Sequence, residues 1–132
     1  IVARGHGEVN AETGAFTALP FSLPTRIGSP EGKTSPEELL AAAHAGCLTM
    51  SLAGELTQAG TPPTRLDVKC TIVMYEVADE GHQIIASHAT IAVAADGVDE
   101  EALTGAIERA EAGCPFSTLL RKAGAEVTVS RS

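Results

Sequence analysis

Hydrophobic and polar positions change period several times along this chain of 132 residues, and each period predicts an element. In RLDVKCTIVMYEV the alternation puts Leu66, Val68, Cys70, Ile72 and Met74 on one face of a strand. HQIIASHATIAVAA follows across Asp79-Glu80-Gly81, which predicts a hairpin. Nearer the start, GHGEVNAETGAFTAL predicts a first hairpin that turns at Glu12-Thr13-Gly14. The Pro, Gly and Ser of PFSLPTRIGSPEGKTS make it a long connection. The period then becomes helical. From Leu39 to Leu56 the residues are apolar nearly all round, which predicts a long central helix buried on most faces. Ser35 and Glu38 form a capping box, Pro36 takes the first helical position, and Gly60 with Pro62-Pro63 ends the run. A second helix is predicted from Glu100 to Ala112 with Asp99 as N-cap, a short third after Cys114-Pro115, and a last strand at AEVTVS. The order β-β-α-β-β-α-α-β, with hairpins and no βαβ repeat, reads as one α+β domain over residues 1–132. Its antiparallel sheets are expected to pack around the long helix.

Composition narrows the function. Only 3% of residues are aromatic and there is no Trp, so a core of Ala, Val, Leu and Ile is thin enough to need a partner chain. A formal charge of −8 argues against nucleic acid, whose phosphates require a basic surface. Glu37, Glu38, His44 and Glu55 punctuate the longest apolar run, which predicts no membrane span. The chain starts at Ile1 without Met, so upstream residues are expected, with a removed targeting segment left open. The cysteines at 47, 70 and 114 are odd in number and form no C-x-x-C. Free thiols in a cytoplasmic protein, with redox chemistry as the sharper option, are the expectation. His6, His82 and His88 make no ligand pattern with them, so no metal and no other cofactor is predicted.

The three thiols differ in setting. Cys47 shares a helical stripe with Leu40, Ala43, Met50 and Gly54, where it reads as one more small core residue and nothing in the periodicity rejects that. Cys114, between Gly113 and Pro115, stands at a predicted helix N-terminus, either as a thiol whose thiolate the unpaired N–H groups favour or as a cysteine simply tolerated at a helix junction. Cys70 lies on the apolar face of its strand and reads as core. His44, one turn before Cys47, is a neighbour on the same helix face. It suits a proton relay, a pocket wall or a satisfied buried histidine.

TSPEELLAAAHAGCLTMSLA, followed downstream by AEAGCPFS and preceded by PTRIG, resembles the family of osmotically inducible protein C and the organic hydroperoxide resistance proteins, in its osmotically inducible branch. The resemblance runs from about Arg4 to the C-terminus, and a first strand is expected upstream of Ile1. It implies a thiol-dependent peroxidase working as an intertwined homodimer, with active sites at the subunit interface. Cys47 then matches the peroxidatic cysteine, which becomes a sulfenic acid, and Cys114 the resolving cysteine, which condenses with it to a disulfide. Arg26 matches the arginine that activates Cys47, and Glu37 the carboxylate that orients that arginine. On residues alone, Arg26 reads as an exposed loop charge and Glu37 as a first-turn carboxylate on the helix dipole; the resemblance reverses both readings.

The apolar surroundings point to an alkyl or fatty-acid hydroperoxide, held against Leu39, Leu40, Ala43, His44, Met50 and Phe116. The reductant is expected to be a dithiol such as a lipoylated protein. Ten residues separate Glu37 from Cys47, about 15 Å along a straight helix. Both reach one guanidinium only if the helix is interrupted or a second subunit contributes. Two rivals stand beside the enzyme: a non-catalytic dimeric module binding a small apolar ligand at the interface, and a purely structural dimer.

Overall fold

A computed structural model describes residues 4–132. The elements are β1 (His6–Val9), β2 (Leu19–Ser22), α1 (Leu23–Ile27), α2 (Pro36–Gln58), β3 (Pro63–Val77), β4 (Gly81–Ala95), α3 (Glu100–Gly113), α4 (Pro115–Lys122) and β5 (Glu126–Arg131). The α+β class is as the patterns predict. The chain forms two compact units, one up to Leu39 and one from Leu40 to Ser132.

In the first unit β1 and β2 pair antiparallel, His6 opposite Ser22 and Val9 opposite Leu19. The expected tight turn at Glu12-Thr13-Gly14 is instead a loop over residues 10–18. Its closure explains the difference: the Asn10 side-chain oxygen accepts from the Ala18 N–H at 2.7 Å, and Ala11 N–H donates to the Phe16 carbonyl at 3.0 Å. Ala18 leaves the loop at φ 57°. Within the expected connection lies an unforeseen helical turn, α1. Ser22 accepts from the Thr25 N–H at 3.2 Å and Pro24 supplies a preset φ in the first turn. The cap of α2 is half as predicted. Ser35 Oγ accepts from the Glu38 N–H at 3.1 Å, but the Glu38 carboxylate accepts from the Thr34 hydroxyl at 2.8 Å and does not reach back to Ser35.

The second unit is a three-stranded sheet, β3-β4-β5, covered by helices. The β3–β4 pairing is the predicted antiparallel hairpin, with Cys70 opposite Ala89 and a bulge at Val73/Met74. β5 corrects the expectation of antiparallel sheets throughout. It runs parallel to β4, Ser87 opposite Val127 and Ala89 opposite Val129, because α3 and α4 form a crossover between the two. The sheet's inner face joins Leu48, Leu52 and Leu56 of α2 with Leu103, Ala106, Ile107 and Ala110 of α3 and with Cys114 in one core. Full burial of each of those leucines contributes about 1.5–3 kcal/mol. Ser51 Oγ donates to the Ala110 carbonyl at 2.8 Å and Arg109 to Glu55 at 2.9 Å, so polar contacts fix α3 against α2.

The long helix itself departs from expectation. Only one stripe of α2 is buried, Ala41, His44, Leu48, Leu52 and Leu56. On the other side Ala42, Gly46 and Gly54 are exposed and Met50 is 72% exposed. A nearly all-apolar sequence therefore carries an uncovered apolar face. By length and composition α2 is also apolar enough to cross a membrane, so the punctuating charges do not exclude a span as expected. Its inner stripe is instead committed to the sheet and α3.

Candidate active site

Each of the thiols sits where a local rule puts it. Gly113 ends α3 and Pro115 begins α4, leaving Cys114 between them as the N-cap of α4, fully buried. Cys47 lies on α2 beside the buried stripe, half-buried, and packs against the same core. The fold brings these two together. Each thiol influences the other's ionisation, and the Phe116 N–H in the first turn of α4 favours the thiolate of either. All three cysteines are free thiols.

The electrostatics of the pair are asymmetric. Burial pushes the Cys47 thiol up, and the neighbouring Cys114 adds to this, against the Phe116 N–H alone. Burial also opposes ionisation of Cys114, but there the Ser117 N–H and hydroxyl, the Cys47 thiol and the Phe116 N–H prevail and lower its pKa. As a neutral thiol Cys114 makes no cap hydrogen bond. Those donors act once the sulfur is charged, which is the effect of a helix N-terminus. Within this unit, then, Cys114 is the more acidic thiol. Cys70 faces the core from β3, and burial raises its pKa to about 11, with a smaller contribution from Cys114.

Arg26 and Glu37 also meet, in the first unit. The arginine Nε donates to both carboxylate oxygens at 3.0 Å, and Nη2 donates to Oε1 as well. The guanidinium holds Glu37 below the usual carboxylate range, while Glu37 raises Arg26 in turn. Arg26 is placed by α1, whose last turn contains it, and not by an open loop.

The remaining expected pocket residues are dispersed. Leu39 lines an apolar cavity of about 260 Å³ with Val9, Phe21, Thr34, Ser35 and Pro36. Leu40 and Ala43 are half-buried on α2, while Met50 stands on the uncovered face. Phe116 packs against the core beside the thiols. His44 does not line an open pocket. It is fully buried, with Nδ1 on the Ser87 hydroxyl at 2.7 Å and Nε2 on the Ser117 hydroxyl at 2.8 Å. Ser87 and Ser117 were not singled out from the sequence. Ser117, three residues after an N-cap cysteine, carried the available signal, since the third helical residue donates to the cap.

The sequence profile described as OsmC-like protein matches residues 28–130. Peroxiredoxin OsmC of Escherichia coli K12 is 38% identical over 128 residues, covering 97% of this chain and 86% of its own. Among solved structures, an organic hydroperoxide resistance protein OsmC from Legionella pneumophila superposes with TM-score 0.74 at 19% identity, covering 100% of this chain and 98% of its own. The organic hydroperoxide resistance protein OhrB of Bacillus subtilis gives TM-score 0.71 at 16% identity, with 98% of each chain covered. At such identities these two speak for the fold alone.

Proposed function

We propose, from the premise that this chain belongs to the OsmC-like protein family and is a peroxiredoxin-like enzyme, that it reduces organic hydroperoxides to alcohols through Cys47 and Cys114. The observation that carries the reading is that Cys47 packs against the core that contains Cys114, the N-cap of α4, and that the two thiols influence each other's ionisation.

The Cys47 thiolate attacks the peroxide oxygen distal to the alkyl group. The O–O bond breaks, the alkoxide takes a proton and leaves as alcohol, and Cys47 becomes a sulfenic acid. The Cys114 sulfur then attacks the Cys47 sulfur and the S–O bond breaks. The departing hydroxide takes up the Cys114 proton as water, and a disulfide joins the two residues. A dithiol of the lipoylated type supplies two electrons and two protons to restore both thiols, becoming a disulfide itself.

Cys47 is the less acidic thiol within its unit, so this order of events requires a cation beside it. The Arg26–Glu37 pair supplies one. An uninterrupted helix carries residues ten apart about 15 Å from each other, and α2 is unbroken from Pro36 to Gln58. The pair acting on Cys47 therefore comes from a second subunit, and the partner covers the face bearing Ala42, Gly46, Met50 and Gly54. A guanidinium there draws the shared charge onto Cys47 and leaves the proton on Cys114. Glu37 holds the arginine's fork in plane. The alkyl tail of the substrate lies along Leu39, Leu40, Ala43, Met50 and Phe116 at that interface, and three free thiols suit a cytoplasmic protein.

Two measurements test this. With a dithiol reductant, catalytic efficiency should be at least tenfold higher for a bulky alkyl hydroperoxide than for hydrogen peroxide, since each buried CH₂ contributes about 0.8 kcal/mol. Equal efficiencies would remove the substrate assignment. Mixing inactive Cys47→Ser with inactive Arg26→Ala should restore activity, because a hybrid dimer holds one intact shared site. Activity that stays absent in a verified hybrid places all four residues in one chain.

A further inference from the structure

Four side chains from three elements form a buried polar line that peroxide attack does not use. Ser87 of β4, His44 of α2, Ser117 of α4 and the N-cap Cys114 are each fully buried. Ser87 and Ser117 lie 2.7 and 2.8 Å from the two ring nitrogens of His44, and Ser117 is the third residue of the helix that Cys114 caps, where its hydroxyl favours the Cys114 thiolate. Such a line is expensive to bury and stable only when every member is satisfied. With a sulfur anion at one end, a single proton order satisfies them all. Ser87 donates to Nδ1, Nε2–H donates to Ser117 Oγ, and Ser117 donates to the Cys114 thiolate. The neutral imidazole this requires is what burial favours, since desolvation lowers the His44 pKa. The charged groups acting on His44 are Glu111 of α3 and Arg121 of α4. They are paired with each other, and their influences on the ring oppose one another.

We propose that His44, acting through Ser117, is a positioning residue for the resolving step. It holds the Ser117 hydroxyl as a donor aimed at Cys114, so that Cys114 attacks the Cys47 sulfenic acid as a thiolate. This rests on the reading of Cys114 as the resolving cysteine. While Cys47 carries the charge, the Cys114 proton stays in place. Once Cys47 is a neutral sulfenic acid, the donors around Cys114 make its own ionisation favourable. The proton that Cys114 gives up is taken by the Cys47 sulfenic oxygen, which leaves as water as the S–S bond forms. The line thus acts at the second chemical step and leaves the first untouched.

The test separates acidity from structure. In a Cys47→Ser, Cys70→Ser background Cys114 is the remaining thiol, and its ultraviolet thiolate absorbance is followed against pH. Ser117→Ala removes the donor and His44→Leu removes the group that orients it, so either should move the titration to higher pH. His44→Gln, whose amide can still donate to Ser117, should leave it near its starting position. In the three-cysteine protein, quench-flow with mass detection follows conversion of the sulfenic acid to disulfide. Loss of one hydrogen bond to a charged sulfur makes Cys114 about tenfold less acidic. A more basic thiolate is also more nucleophilic, with a Brønsted coefficient of about 0.4–0.5. Resolution in Ser117→Ala should therefore be about threefold slower below the titration and about threefold faster above it, so the two pH profiles cross. A purely structural loss lowers the rate at every pH and produces no crossing. A titration that stays in place in either folded removal variant overturns the proposal. If wild-type protein forms no Cys47–Cys114 disulfide with hydroperoxide, the resolving role itself fails, a result the titration does not depend on.

Discussion

One equivalent of an organic hydroperoxide should consume Cys47 and Cys114 and spare Cys70. The balance is one hydroperoxide and two thiols giving an alcohol, water and a disulfide. Sparing of Cys70 follows from its place on the inner face of β3, opposite Ala89. With burial holding its pKa at about 11, roughly one molecule in ten thousand carries a Cys70 thiolate at pH 7, against about 3% for a free thiol of pKa ~8.5. The reactive form is thus depleted by about 300-fold before access is considered. The assay is reaction with a single equivalent of alkyl hydroperoxide, followed by denaturing alkylation and mass mapping of all three positions. Labelled Cys70 alone is the expected result. Recovery of a Cys70–Cys114 disulfide would refute the reasoning, because Cys114 is the thiol whose charge Cys70 senses, and burial would then not be what protects it.

The same burial predicts an alkaline stability loss. The folded-state pKa of Cys70 lies above its unfolded value, so its contribution is fully present below pH ~8.5 and declines as pH rises toward about 11; Cys70→Ala should flatten that part of a denaturation-against-pH curve. Cys114→Ser should complete peroxide attack once and then over-oxidise with excess peroxide, detectable as sulfinic acid at Cys47, whereas disulfide-free turnover would contradict it. Arg26→Ala should abolish most activity while shifting stability by no more than about 1 kcal/mol, since the Arg26–Glu37 pair is partly exposed, and Arg26→Lys should recover only part because an ammonium lacks the planar fork. Leu52→Ala, at a position with no exposed surface, should lower unfolding free energy by about 3–5 kcal/mol in denaturant titration.

Much of this protein is legible from residue order alone. Local chemistry determined the start of α2 at Ser35-Pro36, the alternation of β3, the Asp99 cap of α3 and the placing of Cys114 at a helix start, because caps, turns and side-chain alternation depend on neighbours within a few positions. Even α1 was written locally, in Ser22 and Pro24, although it was read as connection. Other features depend on distant partners and have no local signature. The direction of β5 follows from the crossover through α3 and α4, not from AEVTVS itself. Which side of α2 is buried was undetermined while nearly every residue on it was apolar; the sheet and α3 selected the stripe ending in Leu52 and Leu56 and left Met50 outside. His44 shows the division most clearly. One turn from Cys47 in sequence, it read first as a satisfied core or interface histidine, with relay and pocket wall as alternatives, and it is fully buried. Only the tertiary structure put Ser87 and Ser117, from a strand and a helix far along the chain, on its two nitrogens. Hydrogen bonds between side chains act over about 3 Å, so their pairing is settled where the chain folds back on itself and not along its length.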